Sequence, residues 1–194
     1  SYALLIGVLS TALLMLGGPL VLSHMGLEPR VAAGATPVLL IFSLSITPYL
    51  LADALWLWLE GQERPHVPMV AMWIANGLNL ALALWLVPGN SPFPVAGALA
   101  AAWVTFFARV SLMLMLGVWL WRWPRAHALG VFRAAPRDPA AAREQRRIGY
   151  ATGVSFAIEG GAFSGISFIA AQLGVMAVAA WAVVVNVAAL VFMV

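Results

Sequence analysis

The chain is divided into long apolar stretches by short polar or Pro- and Gly-containing segments, and this pattern limits the possible folds more than any other feature. A helix needs about 20 apolar residues to cross a hydrocarbon core of about 30 Å. Six stretches of about that size occur, at 1–23, 33–59, 67–88, 94–121, 149–171 and 174–194, the last two joined by a tight corner at 172–174. Six transmembrane helices are therefore predicted.

Composition supports a lipid environment. Hydrophobic residues make up 63% of the 194 residues and charged residues 9%, too little polar surface to cover a water-soluble domain. None of the six stretches has the period-2 alternation of a transmembrane β-strand. The predicted fold is therefore an all-α, polytopic transmembrane helical bundle.

The distribution of Arg predicts the topology. All ten basic residues are Arg, and seven lie in the segment 122–147, against only Asp138 and Glu144. Because short cytoplasmic loops accumulate basic residues, this segment and the loop 61–66 are predicted to be cytoplasmic. The loops at 24–30, 90–94 and 172–174 are then periplasmic. Most of the Arg lie in a few short loops, a pattern that indicates topology, so no nucleic-acid partner is predicted.

The segment 122–148 is also the only linker-like part of the chain, rich in Ala, Pro and Arg. It is predicted to join a domain of four spans, 1–121, to a pair of spans at 149–194. Residues 140–147 form either a short amphipathic helix on an anionic membrane surface or a solvated connector. Both ends of the chain lie inside apolar runs, so we expect it to be a piece of a longer transporter.

Three ionisable residues fall inside the predicted spans: Asp53, Arg109 and Glu159. Such groups cost about 2.5–3.5 kcal/mol at the middle of a membrane helix and are therefore candidates for function. Glu159 is followed by Gly160 and Gly161, which leave room for water or an ion, so it is predicted to face a cavity and to bind Na⁺ or exchange a proton. Arg109 is predicted to be a structural charge paired with a carboxylate or backbone carbonyls.

Uncharged polar residues add to this set. Asn76, Asn79 and Asn186 supply amide oxygens and donors within the spans, and Asp53 is a further acidic candidate. An Asn in such a position more often hydrogen-bonds neighbouring helices together than binds a ligand. The three His lie in separate loops, so no metal centre other than possible Na⁺ at Glu159, no cofactor and no enzymatic activity are predicted.

The segment 155–194 contains a motif set that resembles the seventh and eighth helices of the multidrug and toxic compound extrusion (MATE) family, in its bacterial NorM-like branch. The matching residues are Glu159, Phe163, Leu173 with Gly174, Ala179 with Ala180, Asn186, Val191, Phe192 and Met193. Upstream, EGQERPHVPMVAMWIANGLNL resembles the fourth-to-fifth loop and fifth helix, and VAGALAA the start of the sixth. The resemblance covers essentially the whole chain, as helices three to eight of twelve.

This resemblance implies a two-lobe fold in a bacterial inner membrane. It also implies antiport of organic, often cationic compounds against Na⁺ or H⁺ by alternating access, with Glu159 binding the coupling ion, the substrate or each in turn. Two alternatives are a related lipid-linked oligosaccharide flippase, disfavoured because only Arg109 is basic within the membrane, and a non-transporting structural membrane subunit. The expected partners are small organic cations or drugs, the lipid bilayer and the rest of the transporter.

Overall fold

The computed structural model describes residues 2–24, 29–89, 92–132 and 138–192, and these ranges are helical without strands. The helices are α1 (Tyr2–His24), α2 (Pro29–Leu44), α3 (Ile46–Gly61), α4 (His66–Leu86), α5 (Gly97–Arg122), α6 (Pro124–Ala128), α7 (Pro139–Gln172) and α8 (Val175–Phe192). They form two compact units, Ser1–Ala134 and Ala135–Val194, whose boundary falls within the segment 122–148. Which side of the membrane this segment occupies stays a prediction.

Five helical segments of the described chain are long and apolar enough to cross a membrane. They are Tyr2–His24, Ala33–Gly61, His66–Leu86, Gly97–Arg122 and Pro139–Gln172. The sixth predicted span is also helical, as α8, although its described apolar part, Met176–Ala189, is shorter. Positions 25–28 and 90–91 of the predicted periplasmic loops, and Met193, lie outside the described residues. The prediction of an all-α, multi-pass transmembrane bundle is confirmed.

The second predicted span, 33–59, is found as one helical segment, Ala33–Gly61, but it has a local irregularity at Ser45 that the sequence analysis did not predict. Pro48 has no N–H to donate to the carbonyl of Leu44, and its ring crowds that carbonyl, so the helix cannot continue regularly through this point. The chain turns at Ser45, whose backbone N–H contacts the carbonyl oxygens of Ile41 and Phe42 at 3.2 and 3.0 Å. The two halves of this span are α2 and α3.

The first unit is held together mainly by α4 packing on α5 and by α3 packing on α1 and α5. Small side chains allow the close approach of α4, since Ala71 and Ala75 are almost fully buried against a cluster that includes Leu112 and Leu116. A second cluster, nearer the other end of the same pair, joins Leu86 to Ala100 and Val104. Between them, the two clusters fix the antiparallel register of α4 and α5.

The contact of α1 with α3 depends on a glycine. A methyl group placed on Gly7 would lie 3.0 Å from the Cα of Thr47 and 3.3 Å from both side-chain branches of Thr47. Because this is tighter than nine in ten real Cβ contacts, a side chain on Gly7 would require α1 or Thr47 to shift by a few tenths of an ångström.

The second unit is a helical hairpin whose first helix is much longer than a membrane span. Asp138 caps α7 by accepting hydrogen bonds from the N–H groups of Ala140 and Ala141 at 3.0 and 3.1 Å, and Pro139 occupies the first turn. The residues predicted as a separate amphipathic helix or connector, 140–147, are therefore the first turns of α7. Gly174, with a φ of +103°, makes the predicted tight corner before α8.

Candidate functional site: polar groups within the membrane spans

Arg109 lies at the middle of α5, about 20 Å along the helix axis from either end. Its Nη1 donates a hydrogen bond of 2.6 Å to the hydroxyl oxygen of Ser45, the residue at the break between α2 and α3. Its guanidinium carbon lies 4.9 Å from the ring centroid of Tyr49, one turn further along α3. A charge in the centre of a span is thereby held by a hydroxyl group and an aromatic face.

Asp53 belongs to the same group of residues. Asp53 lies one turn beyond Tyr49 on α3, close enough for its charge, like that of Arg109, to act on the Tyr49 hydroxyl. Ser45, Tyr49 and Asp53 are spaced four residues apart, which places them on one face of the helix. We call Ser45, Tyr49, Asp53 and Arg109 the α3–α5 polar cluster.

The partners of Arg109 differ from those predicted. We expected a carboxylate or backbone carbonyls, but no ion pair within 4.0 Å joins Arg109 to a residue that the structure describes. The recorded contacts of Arg109 are instead Ser45 and Tyr49. Ser45 is fully buried, and its hydroxyl also donates to the carbonyl of Phe42 at 2.7 Å. A planar guanidinium suits this pairing, since it can hydrogen-bond in its plane and stack on a ring.

The break in the helix is joined to α1 by further hydroxyl groups. The Thr11 hydroxyl donates to the carbonyl oxygen of Ser43 at 3.0 Å and lies 3.0 Å from the Thr47 hydroxyl. Irregular backbone at membrane depth requires partners of this kind, because lipid offers none. The polar groups around the break therefore have a structural explanation that does not involve a ligand.

Asn79 lies on α4 at the depth of this cluster. It is one turn beyond Ala75 on the α5-facing side of α4 and is half-buried, whereas Asn76 is exposed. Ala75 belongs to the cluster of Leu112, and Leu86 to that of Ala100 and Val104, so the antiparallel register puts Asn79 level with residues 108–109 of α5. In the first unit the carboxylate of Asp53, the guanidinium of Arg109 and the amide of Asn79 therefore lie at similar heights along the helix axes.

Glu159 stands on α7, in the second unit. It is exposed and makes no hydrogen bond or ion pair with any residue that the structure describes, and a methyl group on Gly160 or Gly161 would meet no atom within 4 Å. No described residue occupies the space beside these two glycines. Whether a cavity adjoins it is untested, so its predicted ion-binding role stays a prediction.

Asn186 lies at nearly the same depth as Glu159 on the adjacent helix. Trp181 Nε1 donates to the Ser167 hydroxyl at 2.8 Å, and this contact sets the register of the hairpin. Antiparallel counting from that contact puts Asn186 opposite residue 162, about one turn from Glu159. The Asn186 amide nitrogen donates to the carbonyl of Ala182 at 2.8 Å, which leaves its side-chain oxygen as an acceptor.

The predicted site residues therefore fall into two groups, one in each unit. Asp53 is associated with Arg109 through Tyr49, and Asn79 lies at their depth; Glu159 and Asn186 share a depth on the hairpin. Ser45 and Tyr49 were missed by the sequence analysis, although the four-residue spacing of Ser45, Tyr49 and Asp53 could have revealed a polar face on α3. The described residues contain no group of three or more His, Asp or Glu side chains suited to a metal ion.

Apolar helical spans with a few internal charges define a multi-pass membrane protein. The MatE family model matches residues 1–85 of the chain. Over 193 residues the chain is 46% identical to a probable multidrug resistance protein NorM of Caulobacter vibrioides, an alignment covering 100% of the chain and 41% of that protein. The chain is therefore similar to MatE family proteins, by the family model over its first 85 residues and by a relative over its whole length.

Two further relatives support this similarity. A probable multidrug resistance protein NorM of Rhizobium meliloti is 30% identical over 98% of the chain and 41% of its own length. One from Streptococcus pneumoniae is 25% identical over 98% of the chain and 42% of its own length. The chain thus spans about two fifths of the length of these relatives. No solved structure matches it.

Proposed function

We propose that the chain is part of a secondary active transporter of the bacterial inner membrane, which exports organic, often cationic compounds in exchange for Na⁺ or H⁺. The observation that carries the proposal is the alignment of the whole chain with proteins described as multidrug resistance proteins, at 46% identity for the relative from Caulobacter vibrioides. The charged residues within its apolar spans support it, since such groups mark ion and substrate pathways in transporters.

In this proposal Glu159 binds the coupling cation. Its carboxylate has no protein partner among the described residues, and the glycines after it keep the adjacent surface open. A desolvated carboxylate can either take a proton or accept Na⁺ together with amide and hydroxyl oxygens. The side-chain oxygen of Asn186 is at a suitable depth to assist. Cation binding and substrate binding then favour opposite-facing states, which is the basis of alternating access.

Asp53, Asn79 and Asn76 are proposed as a second, weaker set of polar groups along the transport route, with Arg109 fixing the geometry of α3. Because Arg109 is engaged by Ser45 and Tyr49, it is poorly placed to hold a pyrophosphate group. No other basic residue lies inside the six spans predicted from the sequence. A flippase for lipid-linked oligosaccharides is therefore not favoured.

The proposal is tested by drug-cation efflux from proteoliposomes that contain the complete protein, under separately imposed Na⁺ and H⁺ gradients. Glu159→Gln keeps the shape and removes the charge, so efflux should fall about tenfold or more, equivalent to about 1.4 kcal/mol or more. Glu159→Asp should keep part of the activity. Glu144→Gln is the matched control, because Glu144 is exposed on the same helix and paired with Arg147.

The two gradients separate the possible coupling ions, because only the gradient of the ion that binds Glu159 should lose its effect in Glu159→Gln. Wild-type efflux by Glu159→Gln with unchanged Na⁺ and pH dependence would refute the role given to this residue. Absence of any gradient-driven efflux by the wild-type protein would refute the transport function itself.

A further inference from the structure

An apolar groove of about 760 Å³ lies between α4 and α5, away from the polar groups described above. Most of its lining is aliphatic and includes Val67, Val70, Ile74, Leu114 and Val118. Val70, Ile74 and Leu114 are each more than half exposed, so the groove opens along the outer surface of the helix pair. We call it the Arg122 groove, after the charged residue at one end.

The polar groups of this groove are concentrated at that end. Arg122 and His66 line it together with Trp119 and Trp123. Arg64 is held beside them, because its guanidinium carbon lies 5.5 Å from the centroid of the Trp123 ring. Neither Glu60 nor Glu63 of the adjoining turn is among the lining residues. The end of the groove is therefore basic and aromatic, whereas the rest is apolar.

The length of the groove corresponds to one leaflet. Eight residues separate Leu114 from Arg122 on α5, a rise of about 12 Å, against about 15 Å for half of a hydrocarbon core. Trp residues favour the membrane–water interface, so Trp119 and Trp123 put the basic end at the level of the lipid headgroups. An occupant must be anionic at the interface and apolar along the remainder.

We propose that the Arg122 groove binds an acidic phospholipid, such as phosphatidylglycerol, with the phosphate at Arg122 and Arg64 and one acyl chain along Val70 and Leu114. A cationic export substrate does not fit, because Arg122 would repel it. A second groove of about 570 Å³, at the other end of α4 and α5, can be compared with the Arg122 groove. It is lined by residues such as Trp85, Phe93 and Trp103 and has no charged residue in its lining, so it lacks preference for acidic lipid.

Lipid binding is measured by electron paramagnetic resonance of spin-labelled phosphatidylglycerol and phosphatidylcholine, with the complete protein reconstituted in bilayers. The wild-type protein should immobilise phosphatidylglycerol in preference to phosphatidylcholine. Arg122→Gln should lower that preference about fivefold, the effect of one basic residue near a charged membrane surface. Arg125→Gln is the matched control, since Arg125 is exposed nearby but does not line the groove.

The apolar part of the groove is tested by filling it. Val70→Trp should reduce the immobilised fraction of both lipids, whereas Leu80→Trp should not, because Leu80 is 60% exposed on the same helix and lies outside the groove. Equal immobilisation of the two lipids by the wild-type protein would overturn the proposal. So would equal effects of Arg122→Gln and Arg125→Gln, two exposed positions at which loss of folding is not expected.

Discussion

Arg109 and Asp53 are two opposite charges within the spans, and both lie close to Tyr49; we therefore expect their contributions to stability to depend on each other. Replacing Arg109 by Gln leaves the Asp53 carboxylate in a span with no compensating cation nearby and removes the hydrogen bond to Ser45. Bonds to charged groups contribute about 1.5–3 kcal/mol, so Arg109→Gln should lower the thermal unfolding midpoint of the purified complete protein by several degrees.

The double variant Arg109→Gln/Asp53→Asn should recover part of this loss, because it removes both charges together. A coupling energy of about 0.5 kcal/mol or more is expected for residues in one network. If the effects of the two single substitutions on the unfolding midpoint are additive, Asp53 and Arg109 do not interact. Arg125→Gln provides the control for loss of an exposed Arg outside the spans.

Only part of the α3–α5 polar cluster could be predicted from the sequence. Asp53 and Arg109 could be found because charges are rare in apolar runs, but Ser45 and Tyr49 are compatible with an ordinary span. Their four-residue spacing to Asp53 is a local signal that was available. The contact of Arg109 with Ser45 joins residues 64 positions apart, and no local pattern contains such information.

The packing of α1 on α3 can be tested with two Gly substitutions in α1, one at the contact and one away from it. Gly7→Ala places a methyl group 3.0 Å from the Thr47 backbone, so α1 must move outward. Overpacking of this kind costs about 1–3 kcal/mol and should lower the thermal unfolding midpoint of the purified protein. Gly17→Ala should not, because a methyl group there meets no described atom within 4 Å. Equal shifts for both variants would contradict the packing of α1 on α3.

Helix existence could be predicted from the apolar runs, but helix ends and the break at Ser45 were predicted less well. Hydrophobicity predicts one span over 33–59, as the structure shows, but it gives no sign of the irregularity at Ser45, which lies three residues before Pro48. Similarly, α7 begins at Pro139 and not near 149, because the Asp138 cap and the good helix formers after it extend the helix beyond its apolar part. Hydrophobicity indicates which residues lie in the bilayer, whereas the length of the helix also depends on its caps.

For the molecule as a whole, the side of the membrane on which each loop lies is the main untested prediction. Leu129 and Leu173 are 54% and 75% exposed and lie before and after α7. Because the chain has no Cys, a single Cys at either position can be labelled selectively. A membrane-impermeant maleimide should label position 173 in cells with a permeabilised outer membrane and position 129 only after the inner membrane is opened. The reverse pattern would invert the topology, and labelling of both from one side would mean that α7 does not cross.

The length of α7 has a mechanical consequence. Its 34 residues extend about 51 Å, well beyond a hydrocarbon core of about 30 Å, and the capped first turns continue the helix without interruption. When the part of this helix in the bilayer tilts, the end outside the hydrocarbon core moves sideways. Arg143 lies about 24 Å along the axis from Glu159, so a tilt of about 10° about Glu159 moves Arg143 sideways by about 4 Å. A small tilt of the membrane-embedded part, whatever its cause, therefore moves the charged end of the helix by several ångströms among the lipid headgroups.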